Sequence, residues 1–300
     1  MLITQLDHSL SVSPLTPIHD IAIKNYGNEL WIKRDDLLHP VISGNKWRKL
    51  KYILNQALAL ESHTLISMGG AYSNHLHALA YIGHKLGLNT IGFIRGEQIK
   101  LTPTLKDMQD WGMVLNYISR TDYRSLRQYK NCYDFPDIQV GHYWIPEGGS
   151  QVLALQGVTE LVGEIDIAFD HICVACGTGT TLAGIIKAVP DSVRVTGIAV
   201  LKNADFLVAD VENLVGSHRN NWEINNDYHF GGFAGINEEL MTFINNFQLK
   251  HKIQLEPVYT GKLLYAIYDL MKKGFFKSSQ CIVAVHTGGL QGNRGFGLSF

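Results

Sequence analysis

Cysteine is scarce, no apolar run approaches the length of a membrane span, and neither sign of charge dominates: the 300 residues hold four cysteines, 26 basic and 27 acidic side chains. So few cysteines in a chain of this length do not make the dense disulfide framework of a small secreted domain. With no polybasic block there is no surface suited to neutralising a run of phosphates, so a nucleic-acid partner is not expected. The opening segment Met1-Leu2-Ile3-Thr4-Gln5-Leu6-Asp7-His8 lacks a basic region followed by an apolar core, which points to the cytoplasm and away from membranes. Low-complexity tracts, internal repeats and Pro/Gly-rich linkers are also missing, so a second domain is expected as an insertion rather than an appended bead. What is present is 46% apolar and 18% charged residues, enough to bury a large core. The length suits two compact lobes with a cleft between them.

From Leu50 onward helical and β-branched runs alternate. The pattern predicts helices over 49–60, 74–86, 103–111, 152–163 and 180–188, and strands over 64–68, 90–94, 113–118, 143–145, 171–175, 193–200 and 280–286. Such alternation is the mark of parallel α/β units. Ligands of open α/β sheets gather where strands end and helices begin, so the turns after strands are the place to look for chemistry.

Three turns qualify. Gly69-Gly70-Ala71-Tyr72-Ser73-Asn74-His75 leads from a strand into a helix whose first amides, with Ser73 and Asn74, suit an oxyanion; Ser73 or Asn74 as a simple N-cap is the plainer reading. Gly177-Thr178-Gly179-Thr180-Thr181 sets three hydroxyls among glycines that let a phosphate approach the backbone. This turn lacks both the third glycine of a dinucleotide fingerprint and the Lys-Ser/Thr of a Walker motif, which leaves a lone monophosphate, or a turn without a ligand. His286-Thr287-Gly288-Gly289 ends the last long strand in a hydroxyl that could meet a heteroaromatic nitrogen or cap a helix.

Cys173 and Cys176 form a C-x-x-C without a second pair or a matching histidine spacing, and read as positions in a buried strand. His75 and His77, two apart on a helix, face different directions, unlike an i, i+4 ligand pair, so no metal site is expected. Lys46 precedes a basic helix start at Arg48 and Lys49. Alone it would be a solvated lysine. Beside a phosphate cradle and two polar strand ends, it suggests a nucleophile that holds an aldehyde cofactor with a phosphate handle, activated by burial or by the neighbouring cations.

These residues together resemble a known family. Gly44-Asn45-Lys46-x-Arg48-Lys49-Leu50, Gly70-x-x-Ser73-Asn74-His75, Ile145-Pro146-x-Gly148-Gly149-Ser150, the turn 177–181, Val258-Tyr259-Thr260-Gly261-Lys262 and His286-Thr287-Gly288-Gly289 are similar, in this order, to the 1-aminocyclopropane-1-carboxylate deaminase and D-cysteine desulfhydrase family. The resemblance implies a two-domain tryptophan-synthase-β-like α/β fold, each domain an open, twisted, mostly parallel sheet flanked by helices. A large domain would comprise residues 1–49 and 143–300, and a small inserted one residues 50–142.

The implied cofactor is pyridoxal 5'-phosphate, carried on Lys46. Lys49 and Gly177, Thr178, Gly179, Thr180 and Thr181 would hold its phosphate, Asn74 its phenolic oxygen and Thr287 its ring nitrogen. Phe233 would stack on the ring where the family generally has tyrosine, and so lacks the hydroxyl. Ser73, Asn74 and His75 would receive the substrate carboxylate, with Gly148 and Tyr259 beside it, and Ser73 and Tyr259 join Lys46 as catalytic candidates.

The deaminase branch places glutamate after the tyrosine matching Tyr259 and commonly glutamine where His75 stands; this chain has Thr260 and His75. A neutral partner makes the ring a weaker electron sink, which favours elimination of a β-thiol or β-hydroxyl over cyclopropane opening. The implied activity is a lyase that converts a small amino acid, D-cysteine foremost, to a 2-oxo acid, ammonia and sulfide. Cyclopropane opening, β-replacement, racemisation and a catalytically silent amino-acid or cofactor binder are the alternatives. A homodimer is the expectation for a soluble enzyme of this kind.

Overall fold

The computed structural model describes residues 3–42, 44–96, 100–136, 138–216 and 218–297. Its strands are β1 (Leu15–Pro17), β2 (Glu29–Lys33), β3 (Thr64–Gly69), β4 (Asn89–Arg95), β5 (Met113–Ile118), β6 (His142–Trp144), β7 (His171–Cys176), β8 (Arg194–Ala199), β9 (Trp222–Asn225) and β10 (Cys281–Val285). Its helices are α1 (Ile3–His8), α2 (Ile21–Asn25), α3 (Asn45–Ala59), α4 (Asn74–Leu86), α5 (Pro103–Asp110), α6 (Arg120–Leu126), α7 (Val152–Gly163), α8 (Thr180–Ala188), α9 (Phe206–Val215), α10 (Glu238–His251) and α11 (Thr260–Lys272). Among the described residues no helix is long and apolar enough to cross a membrane.

Two sheets result. One runs β1-β2-β10-β7-β8-β9 and is parallel except for β1 against β2; the other runs β5-β4-β3-β6 and is parallel throughout. Strand β7 shows why: all six of its residues are buried, as a central parallel strand covered by helices on both faces requires. Cys173 and Cys176, three apart along it, join different core clusters on its two faces, so they do not pair.

Both sheets reverse their strand order at one point. From β7 the chain steps outward to β8 and β9, while β10 lies on the other flank of β7; from β3 it steps to β4 and β5, while β6 lies on the other flank. A crevice opens at the carboxyl ends of strands at such a reversal. The turns after β7 and β10 therefore adjoin one another, as do the turns after β3 and β6.

Helix α3 begins at Asn45, four residues before the predicted start, and so carries Lys46 in its first turn. The signal that sequence offers for a helix start, a capping side chain, is absent here; Gly44 opens the helix at φ 68°. A Cβ on Gly44 would lie 1.7 Å from the Thr287 carbonyl oxygen, to which Asn45 N–H donates at 3.3 Å. The start of α3 is thus seated on the turn after β10. Gly44→Ala adds both this clash and a left-handed strain of about 1–2 kcal/mol, and should lower the urea midpoint well beyond an ordinary surface substitution. A midpoint within 0.2 M (about the scatter of such titrations) would mean that the seat yields freely.

The sequence suggests Arg48 as a cation able to activate Lys46, but its side chain has another task. It forms a bidentate pair with buried Asp35 (2.6 and 2.8 Å) and bonds Glu164 at the end of α7 (2.8 Å), which also receives the fully buried Lys33 at 2.7 Å. With its charge neutralised in this way, Arg48 anchors the first turn of α3 to the turn after β2 and to the end of α7. Arg48→Ala would strand Asp35 in the core, and unfolding by urea should become easier by about 3 kcal/mol. The half-exposed Glu164 contributes little of that because water screens it.

Candidate active site

The site is built where the two reversals meet. Lys46 Nζ donates to Asn45 Oδ1 at 2.5 Å, and Asn45 Nδ2 donates to Thr181 Oγ1 at 2.8 Å, which ties the lysine turn to the turn after β7. Burial pushes the Lys46 ammonium down to about 8, against an opposing pull from the Glu256 carboxylate. One turn on, Lys49 is buried and held well below its ordinary value by burial and by Lys46. Its Nζ reaches the Gly148 carbonyl at 3.3 Å and, among the described residues, forms no ion pair. The turn after β6 thereby joins the cluster: a Cβ on Gly148 would touch the Thr178 methyl at 3.0 Å, and Ser150 Oγ accepts from Thr180 Oγ1 at 3.0 Å.

Helix α8 starts at Thr180 with Gly179 at φ 71° and no side chain capping it. Thr178 and Thr180 hydroxyls lie 3.0 Å apart. An uncapped helix start, three threonine hydroxyls and a buried lysine without a counter-ion form a cradle for a dianion. These residues fit the phosphate of pyridoxal phosphate, which would supply the charge that Lys49 lacks.

Tyr259, just before α11, crosses over Gly177, where a Cβ would come within 3.2 Å of the phenol oxygen. Burial and the charges of Glu256 and Glu147 raise its pKa strongly, so the phenol keeps its proton. Phe233 is 45% exposed, and its ring meets Tyr259 edge-on at 5.6 Å.

On the other side of the cleft Ser73 caps α4, its hydroxyl accepting from Leu76 N–H. Asn74 lies against Gly289, whose added Cβ would stand 2.6 Å from Asn74 Nδ2. His75 is buried and lowered to about 3 by burial and by Lys46 and Lys49, so its ring is neutral. Ser67 gives its hydroxyl proton to Ile145 O (2.7 Å) and must accept from His75 Nε2 (2.9 Å), leaving Nδ1 a buried acceptor without a partner among the described residues. The His75 side chain therefore offers no hydrogen to a carboxylate; its backbone N–H in the first turn of α4 remains the available donor. Thr287 is buried beside the lysine turn. These contacts link the lysine turn, the turns after β3, β6, β7 and β10, Tyr259 and Phe233, whereas the Arg48 side chain turns away to Asp35 and Glu164.

Three participants were not foreseen. Glu256, fully buried, accepts from the N–H groups of Val258, Tyr259 and Thr260 at 2.6–2.8 Å and fixes the turn that carries Tyr259. Lys262, also fully buried, donates to the carbonyls of His229, Gly232 and Phe233 at 2.7–3.3 Å and so holds the Phe233 loop against Tyr259. Gln291, in the 3-10 helix Leu290–Phe296, donates to Asn74 Oδ1 at 2.5 Å. An acid shortly before a helix start was a readable signal for Glu256; the other two depend on contacts over 29 residues or more.

Known proteins resemble this chain over nearly its whole length. Residues 7–288 match the family model described as pyridoxal-phosphate dependent enzyme. The chain is 32% identical over 302 residues to a Pyrococcus horikoshii protein provisionally named 1-aminocyclopropane-1-carboxylate deaminase, with 95% of this chain and 91% of that one aligned. It is 32% identical to the mitochondrial bifunctional D-cysteine desulfhydrase/1-aminocyclopropane-1-carboxylate deaminase of Arabidopsis thaliana, over 95% of this chain and 79% of that one. A solved structure described as an ACC deaminase homologue superposes with a TM-score of 0.79 at 28% identity, covering 98% of this chain and 97% of its own.

Proposed function

The chain belongs to the pyridoxal-phosphate dependent enzymes, and from that membership we propose that it is a lyase of small amino acids with D-cysteine as the leading substrate. The products are a 2-oxo acid, ammonia and sulfide. Pyridoxal phosphate, when bound, supplies the electron sink that stabilises negative charge at the substrate α-carbon. Lys49, the Gly177–Thr181 turn and the start of α8 hold its phosphate, Asn74 its phenolic oxygen and Thr287 its ring nitrogen. The α4 start, with Ser73 and the backbone of Asn74 and His75, receives the substrate carboxylate, and Gly148 borders it.

Of the two candidates for removing the α-proton, Lys46 is the better base, because burial leaves an appreciable fraction of its amine unprotonated near neutral pH. Tyr259 is the candidate acid, because it is protonated at neutral pH. It keeps its proton and can give it to the departing β-sulfur, whose bond to carbon breaks as the α-proton's electron pair forms the double bond. The enamine left behind takes up water and releases ammonia.

The observation that carries this reading is Thr260. The residue after Tyr259 bears no charge, and its hydroxyl is engaged inside its own turn, accepting from Glu256 N–H at 2.9 Å. Cyclopropane opening is the second reading, supported by the names of the relatives. Supplying the loaded enzyme with D-cysteine, L-cysteine and 1-aminocyclopropane-1-carboxylate separates them. Pyruvate and sulfide from D-cysteine are expected; 2-oxobutanoate from the cyclopropane, with no sulfide from D-cysteine, would reverse the order.

A pH dependence accompanies the Lys46 role. Covalent uptake of added pyridoxal phosphate should accelerate roughly tenfold per pH unit below about 8 and level off above it, as the free amine becomes the main form. A rate flat from pH 6 to 9 (stopped-flow absorbance) would count against it. The proposal extends to a cytoplasmic homodimer and to domains of residues 1–49 with 143–300 and 50–142; sedimentation gives the oligomer and limited proteolysis the boundaries.

A further inference from the structure

Asn74 is symmetric in shape but not in chemistry, since one end of its amide donates and the other accepts. Which end meets a ligand follows from a chain of contacts that begins at groups with no such ambiguity. Arg294 can only donate, and its guanidinium lies 3.2 Å from one end of the Gln291 amide, which must therefore be Oε1. The Tyr72 carbonyl can only accept, and it lies 3.2 Å from the other end, which must be Nε2. That Nε2 is 2.5 Å from Asn74, so the Asn74 atom there is Oδ1, and Nδ2 is turned toward Gly289. Asn74, Gly289 and Gln291 line a cavity of about 100 Å³. Among the described residues no acceptor bonds Nδ2.

The chain of contacts is anchored. Asp107 receives Arg294 at 2.6 Å and His77 Nε2 at 2.9 Å, and Thr104 Oγ1 adds a second donor to Gln291 Oε1 at 2.5 Å. Thr104 and Asp107 belong to α5 and His77 to α4, all flanking the four-stranded sheet, whereas Gln291 and Arg294 follow β10 of the six-stranded sheet. A side chain from the turn after β10 thus sets the polarity of a residue on the opposite wall of the cleft.

We propose that Gln291 is a positioning residue that fixes Asn74 with its N–H₂ toward the site, so that this wall presents a donor to an anionic oxygen of the bound cofactor. The inference rests on the reading of Asn74 given above. Its test is binding rather than turnover: the dissociation constant for pyridoxal phosphate of the purified apoprotein, by fluorescence titration, for Gln291→Glu, Gln291→Met, Asn74→Ala and the Asn74→Ala/Gln291→Glu pair, each with its melting temperature.

A glutamate at 291 can only accept. It would draw Asn74 Nδ2 to itself and turn Oδ1 to the ligand, while keeping an ion-pair partner for Arg294. Methionine removes the instruction without inverting it. Gln291→Glu should therefore weaken binding roughly ten- to hundredfold and Gln291→Met only a few-fold. Stability should follow the opposite order, with methionine losing more because it bonds neither Thr104 nor Arg294. The pair should bind no worse than Asn74→Ala alone. Parallel losses of affinity and melting temperature, with methionine worse in both, would overturn the inference in favour of plain packing. Weak binding in Asn74→Ala with normal binding in Gln291→Glu would overturn it while leaving the Asn74 reading intact. Normal binding in Asn74→Ala would remove that reading and the inference with it.

Discussion

Lys46→Ala should leave a folded protein that takes up no pyridoxal phosphate covalently and degrades no D-cysteine, a fall in turnover of more than roughly 10⁴-fold. Neither Lys49 nor Lys262, the other buried lysines at the site, is placed to stand in. Lys49 is one turn further along α3 and directed to the Gly148 carbonyl, and Lys262 is held by three backbone carbonyls. The visible absorption band that develops when cofactor is added to wild type should be missing in the variant, while free cofactor still titrates the phosphate cradle weakly. A full band in Lys46→Ala would move the attachment to another lysine and refute the assignment. The same residue carries a stability consequence. Its ammonium titrates near 8 in the folded chain and near 10.5 when unfolded, so between those values the unfolded state holds more protons and the lysine's contribution to stability rises with pH. Below about 8 the full penalty for a desolvated charge is present. Apoprotein of Lys46→Met should therefore be the more stable at pH 7, by roughly 1–2 kcal/mol. Its advantage should shrink as the pH climbs toward 10, as expected of a reactive group kept at the expense of the fold.

Tyr259→Phe comes next in size. The ring stays, with its place over Gly177 and its edge-on contact to Phe233, and only the hydroxyl is lost. If the phenol protonates the leaving sulfur, kcat for D-cysteine should fall about 10²- to 10⁴-fold with cofactor affinity unchanged. Substrates whose leaving group needs no proton should suffer least, and β-chloro-D-alanine provides that comparison. Equal losses on both substrates would show that Tyr259 places the substrate and does not act as the acid; a kcat within threefold of wild type (about 0.7 kcal/mol in barrier) would remove it from the chemistry.

How much of this could be read from residues alone varies with the range of the interactions. The central elements were legible because each carries its own pattern: the unbroken apolar run of β7, the apolar face of α4 and the threonine-rich turn into α8 predict elements within a residue or two of those observed. The candidate site was legible as a set of turns because parallel sheets bring strand ends together. Less could be read where a residue's role depends on a distant partner. Arg48 pairs with Asp35 and with Glu164, 116 residues away, and nothing local distinguishes it from an exposed cation beside Lys46. The start of α3 was missed because its cap is a glycine seated on the Thr287 carbonyl, and a seat 243 positions downstream leaves no trace near residue 44. Strand β2 was overlooked for a similar reason. Its five residues begin and end in charge, and Lys33 reads as solvent-facing until its distant partners Ser13 O and Glu164 are known.

The pairing of β2 with β10 has a bearing on how the molecule is born. A ribosome delivers β2 and the lysine turn well before β10, the strand that completes their side of the sheet, and before the Thr287 carbonyl that seats Gly44. The four-stranded sheet, by contrast, is closed within residues 64–144 and can assemble while synthesis continues. Until β10 and Thr287 are made the lysine turn has no seat, so the Lys46 amine stays hydrated, and the burial that lowers its affinity for protons follows only when that turn is in place.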